Sequence, residues 1–179
     1  LRRGTNTQIW HIPKLSSTMG NDSIIYAGST LKDIEESIKK LEEIIGKDLI
    51  LKSNLIDIGS GKGKVLLTWR GMYPENKRIF GFDHNKRLNR IALKNFEKLN
   101  YKPVKIFEAD ASLIKIKNLD ETPTIFFMYN PFGEKTINNF FSNNQPKKSA
   151  LIYLNPLHSK LIEVFGYRKV FRKISQRRG

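Results

Sequence analysis

Short apolar runs alternate with segments of helical period through most of this 179-residue chain. The runs are residues 55–58, 78–82, 104–108, 124–129 and 150–154, and each is closed within two residues by Gly, Asp or Asn. They are too short for helices and have the boundaries of strands. Between them, 64–72, 85–99, 134–141 and 158–164 repeat apolar residues every three or four positions, as amphipathic helices do. In 85–99 that face is Leu88, Ile91, Ala92, Asn95, Phe96 and Leu99. A further helix precedes the first strand: Thr30 is its expected N-cap, Leu31, Ile34, Ile38, Leu41, Ile44 and Ile45 follow at helical spacing, and Gly46 stops it. Strands alternating with helices imply βαβ units with right-handed crossovers. The expected fold class is therefore α/β, a three-layer sandwich around a mainly parallel sheet. The unbroken apolar stretch 125–128 predicts a strand buried on both faces. A last strand is predicted over 167–174.

No repeat divides the chain. Residues 1–29 are polar and irregular and are expected to form a segment over the active site, with 30–179 as one domain. There are no cysteines, which excludes disulfides and thiolate zinc sites. The three histidines, His11, His84 and His158, show no metal-ligand spacing, so no metal is expected. No leader pattern opens the chain and no apolar run reaches bilayer length. Its start at Leu1 suggests trimming. A cytoplasmic location without a membrane partner is the expectation. The net charge of +15 raises the local concentration of polyanions and makes nucleic acid a candidate partner. A genome biased towards Lys, Asn and Ile codons produces the same composition without one.

In parallel sheets, ligands bind beyond the carboxyl ends of the strands. The strand ends to inspect are 57–63, 83–84, 110–111, 130–132 and 155–156. The strongest signal is Asp57-Ile58-Gly59-Ser60-Gly61-Lys62-Gly63, three alternate glycines between a buried strand and a helix. Glycine there lets the backbone turn sharply and lets a ligand come close. A Walker A loop needs Gly-Lys followed by Ser or Thr, and neither Gly61-Lys62 nor Gly63-Lys64 is followed so. A dinucleotide loop needs its third glycine where Lys64 stands. What remains is Asp-x-Gly-x-Gly-x-Gly, in which Asp57 suits a ligand carrying an ammonium group. Asp83 lies about twenty residues on, where an acid can accept from both hydroxyls of a ribose. His84 beside it is expected to neighbour or pack on a purine base. Asp110 and Ala111 follow the third strand.

The loop resembles motif I of the class I S-adenosylmethionine-dependent methyltransferases, whose fold is Rossmann-like. The resemblance makes S-adenosyl-L-methionine the expected cofactor, with Asp57, Gly59, Ser60, Gly61, Gly63, Asp83, His84, Asp110 and Ala111 around it, Asp110 accepting from the adenine amino group. Tyr129-Asn130-Pro131-Phe132 resembles motif IV of amino-group methyltransferases. That resemblance gives Asn130 and a backbone carbonyl the task of accepting the target amine's hydrogens and Phe132 that of packing on the acceptor. This chain has one proline where the nucleic-acid enzymes have two, which speaks against a planar nucleobase. With Arg3-Gly4-Thr5-Asn6-Thr7 and residues 25–30, these motifs look like a little-characterised bacterial family sharing Gly-Ser-Gly-Lys-Gly and Tyr-Asn-Pro-Phe. A more distant similarity to Dot1-like and archaeal protein-lysine methyltransferases places Tyr26 and Thr30 at the methionine end of the cofactor or in the acceptor channel. The family closes its sheet with two strands after the fifth, and only 167–174 stands out for that part.

The implied activity is methyl transfer to an amino or amide nitrogen of an unidentified acceptor, with Tyr129, Asn130, Pro131 and Phe132 at the acceptor. Protein-lysine methylation is one alternative. A noncatalytic nucleic-acid-binding module on the same fold is the other.

Overall fold

A computed structural model describes residues 29–129 and 132–172. The first helix, α1 (Leu31–Ile45), begins where the sequence places it. The Thr30 hydroxyl accepts from the Asp33 amide at 3.1 Å and donates to the Asp33 carboxylate at 2.6 Å. Gly46 ends the helix, its amide donating to the Glu42 carbonyl at 2.8 Å. The same glycine opens a second, unexpected helix, α2 (Lys47–Lys52). The remaining order is β1 (Asn54–Ile58), α3 (Lys64–Met72), β2 (Ile79–Asp83), α4 (Lys86–Lys98), β3 (Lys105–Glu108), a 3-10 turn at Leu119–Glu121, β4 (Thr124–Tyr129), α5 (Glu134–Asn143), β5 (Ser149–Leu154) and α6 (Ser159–Val164).

The strands form one sheet in the order β3-β2-β1-β4-β5, with every adjacent pair parallel. The order reverses between β1 and β4, so their carboxyl ends open the crevice in which such sheets take ligands. Alternation along the central strands divides the core. Leu55, Ile125 and Phe127 pack with α1, α3 and Phe96 of α4 on one face. Ile56, Ile58, Phe126 and Met128 pack with α5 and α6 on the other. β4 is buried from Thr124 to Met128, as a strand covered on both faces must be.

The strand expected at 167–174 does not form over its described part, 167–172. Tyr167 packs edge-on against Phe141 on the α5 side, while the ring of Phe171 lies 5.3 Å from Lys40 Nζ of α1. The chain thus crosses the β5 edge from one face to the other, and a segment that crosses an edge cannot pair along it. The segment serves instead to place two aromatics on opposite layers.

The glycine at position 81 is a condition for the packing of α3. A Cβ there would stand 2.6 Å from Leu66 Cδ1, 2.8 Å from Ser60 Oγ and 3.0 Å from Ser60 Cβ. Leu66 is fully buried and has nowhere to retreat. Gly81→Ala is expected to cost about 1–3 kcal/mol, read as a fall of several degrees in thermal unfolding. An unchanged melting temperature would mean that α3 can move away from β2.

Candidate functional site at the carboxyl rim of the sheet

The chain leaves β1 by folding over the end of β2. The amides of Gly59 and Ser60 both donate to the Phe82 carbonyl, at 2.8 and 3.0 Å. The Gly63 amide then donates back to the Ser60 carbonyl at 2.9 Å. This tight path needs positive φ at Gly59, Gly61 and Gly63 (77°, 52° and 77°), which side-chain-bearing residues rarely adopt. Gly63 also rides on α4, where a Cβ would meet Ala92 Cβ at 3.0 Å.

Asp83 ties the loop to the rim. Its Oδ2 accepts from the Gly61 amide and its Oδ1 from the Asn85 amide, both at 2.8 Å. Its carbonyl accepts from Asn89 Nδ2 at 3.0 Å and from the Ala109 amide at 3.2 Å. Each carboxylate oxygen has taken one donor and can take another. Burial pushes this carboxyl up, and the amides of Asn85 and Gly61 draw it back down. His84 is exposed, with Nδ1 4.0 Å from Asp83 Oδ1.

Asp57 differs from its neighbour. It is buried between Gly81 and Phe127 in the sheet. Among the described residues neither of its oxygens has a hydrogen-bond partner, and burial, with the charge of Asp83 added, raises its pKa well above the ordinary aspartate range. The Ser60 hydroxyl is likewise buried without a partner among the described residues. Lys62 is buried in the loop, and Lys64 Nζ donates to the Ser29 carbonyl at 2.6 Å. A ligand cation would satisfy Asp57, and vicinal hydroxyls would fit the open positions on Asp83. A pyrophosphate would meet two buried carboxyls of its own sign.

The remaining expected residues are less concentrated. Asp110 is exposed, and its Oδ1 accepts from both the amide and the hydroxyl of Ser112 at 2.8 Å. Ala111 is buried in the α5-side cluster. Thr30 is occupied as the cap of α1. Tyr129 ends β4 half-buried against the α1–α3 cluster, and Phe132 packs against the opposite one. Tyr26, Asn130 and Pro131 lie outside the described residues. Beyond β5, His158 sits ahead of α6 with Nδ1 3.4 Å from Glu134 Oε1, linking the two connections at that end of the rim.

Two supporting residues escape a sequence reading. Gly81 has no local motif, because its role depends on Ser60 and Leu66 from elsewhere. Asn89 does leave a trace, being polar on the buried face of α4 where the spacing calls for an apolar residue. Among the described residues no three His, Asp or Glu gather as a metal-binding group, and no helix is long and apolar enough to cross a membrane.

No family model and no curated protein matches the chain. Solved structures do. A S-adenosylmethionine-dependent methyltransferase from Clostridium acetobutylicum superposes with a TM-score of 0.51 at 14% identity, over 70% of this chain and 50% of that one. The PH0226 protein of Pyrococcus horikoshii gives a TM-score of 0.53 at 15% identity, over 74% and 58%. Protein 1320 of Thermoplasma acidophilum gives 0.51 at 20% identity, over 76% of each chain. At these identities the likeness is one of fold: a Rossmann-like α/β sandwich. The chain spans half the length of the Clostridium structure.

Proposed function

We propose that this chain is an S-adenosylmethionine-dependent methyltransferase acting on an amino or amide nitrogen. The observation that carries the reading is Asp57, a buried carboxyl without a hydrogen-bond partner among the described residues, set beside a glycine loop pinned by Asp83. An adenosyl amino-acid sulfonium fits that combination and a dinucleotide does not. Its ammonium group pairs with Asp57, and its ribose hydroxyls donate to the open positions of Asp83. The Ser60 hydroxyl, unpaired among the described residues, and the glycine loop enclose the amino-acid end. Asp110 and Ala111 border the adenine, and His84 shields its outer side. The description of the Clostridium structure, which shares this fold, supports the same cofactor.

When bound, the cofactor supplies a methyl group on an electron-poor sulfur. The protein then has to align a neutral nitrogen with that methyl and keep water out. On this reading the Asn130 side chain and an adjacent carbonyl accept the amine's hydrogens, which directs the nitrogen lone pair inwards. Pro131 holds that turn, and Tyr129 and Phe132 wall the acceptor. Tyr26 and the α1 end at Thr30 border the channel.

Calorimetry with S-adenosylhomocysteine tests the cofactor directly. Saturable binding to the parent protein is expected, with Asn130→Ala retaining that affinity because Asn130 serves the acceptor. Binding of NADH in place of S-adenosylhomocysteine would overturn the reading.

A further inference from the structure

The net charge of +15 is not evenly distributed over the helices. α1 carries five acids and three lysines, whereas α4 carries five bases and one acid, Glu97. A codon bias towards lysine acts on both helices alike and does not produce that contrast. The buried residues of α4 are Asn89, Ala92, Asn95 and Phe96. At 3.6 residues per turn, Lys86, Arg87, Arg90, Lys94 and Lys98 all fall within an arc of roughly 120° centred opposite that buried set. All five are exposed. The row runs for roughly 18 Å along the helix. Lys86 stands 4.0 Å from Glu108, a pair too exposed to neutralise the row. The upper end of α4 adjoins Asp83, and Arg87 lies near enough to Lys62 to depress that lysine's pKa, a smaller effect than its burial. The basic row therefore runs from the flank of the molecule towards the glycine loop, with Glu97 as the one acid within its arc.

We propose that the exposed face of α4 docks the sugar-phosphate backbone of a single-stranded nucleic acid. The five cations of the row can neutralise up to about five phosphates of a strand that follows the helix and its flanks. One row engages one strand. A flexible single strand can lie along such a row over its whole length, as strands do in positively charged tracks that follow the backbone. The inference concerns binding alone and stands apart from methyl transfer.

Fluorescence anisotropy with a short labelled oligouridylate on the full chain tests it. The logarithm of the association constant is expected to fall with the logarithm of salt with a slope near about −3.5, the value for five phosphates of a single strand. The triple variant Arg87→Glu, Arg90→Glu, Lys94→Glu is expected to bind at least about tenfold more weakly and to flatten the slope by about 2. A control with the same change in net charge, Lys39→Glu, Lys47→Glu, Lys147→Glu, is expected to keep the slope. The milder Arg87→Gln, Arg90→Gln, Lys94→Gln variant, with circular dichroism as a check on the helix, separates lost contacts from a lost fold. Equal losses in stripe and control variants would reduce the effect to net charge and overturn the proposal. So would a protein that ignores the oligonucleotide and binds vesicles containing phosphatidylserine.

Discussion

Asp57→Asn is expected to give a ligand-free protein more stable than its parent near neutral pH, yet unable to hold S-adenosylhomocysteine. Both effects follow from one buried carboxyl that takes no hydrogen bond from the described residues and feels the charge of Asp83. In the folded chain its pKa is raised. In the unfolded chain it returns to about 3.9. Between those two values the native state holds a proton that the unfolded state releases. Stability therefore falls as pH rises through that window and levels off above the raised value. Asparagine has no proton to release and removes this slope. A gain is expected at neutral pH, because asparagine removes the cost of ionising a buried carboxyl on folding. For a chain of this size each kilocalorie is worth roughly 2–4 °C. Binding moves the other way. An ammonium group seated on Asp57 requires the ionised form, so the parent should release a proton on binding and lose affinity as pH falls below the raised pKa. Removing one partner of such a buried pair costs about 2–5 kcal/mol, thirtyfold or more in Kd. Calorimetry in buffers of different ionisation enthalpy measures the proton, and thermal unfolding from acid to neutral pH measures the slope. A variant that melts lower than its parent across that range would show that Asp57 is compensated after all.

The parts of this fold that were legible in the sequence are those whose cause is local. Thr30 and Gly46 bracket α1 because a cap and a left-handed stop act within one turn. The strand ends and the three glycines could be placed because a parallel sheet forces its loops to one rim. α2 was hidden because six residues are too few to show a period, and because Gly46 serves as the end of one helix and the start of the next. The edge segment misled for the converse reason. The stretch 167–174 is rich in aromatic and β-branched residues, as strands are, but the partners of Tyr167 and Phe171, Phe141 and Lys40, sit on opposite faces of the sheet. At the site, motif spacing placed Asp57 and Asp83 but not the difference between them. That difference lies in two backbone amides, Gly61 and Asn85, both pointed at Asp83 and neither at Asp57. Asn144 is a further example: it joins the Ile114 and Ile116 backbone to α5 across 28–30 residues, and no short pattern announces such a tie.

Asp83→Ala is expected to do more damage than any other single change at the rim, because the same carboxylate serves the fold and the ligand. Truncation leaves the Gly61 amide without its acceptor inside the loop and the Asn85 amide without its own at the head of α4. An orphaned buried donor costs about 1–3 kcal/mol, so the Gly61 amide alone amounts to several degrees of melting temperature, and the part-buried Asn85 amide adds less. The proposed ribose contact goes as well, and S-adenosylhomocysteine binding should become undetectable. Asp83→Asn separates the two roles. Its side-chain oxygen can accept from one amide, while its NH2 group faces the other, so part of the stability should return without the affinity. The two aspartates are also coupled. Asp83 is one of the two causes that raise Asp57, so removing its charge lets Asp57 ionise more readily. The stabilisation expected from Asp57→Asn should therefore shrink in an Asp83→Ala background, a non-additivity of the kind that residues in contact show. Strict additivity in that double-mutant cycle would mean that the carboxyls do not sense each other, and Asp57 would then owe its raised pKa to burial alone.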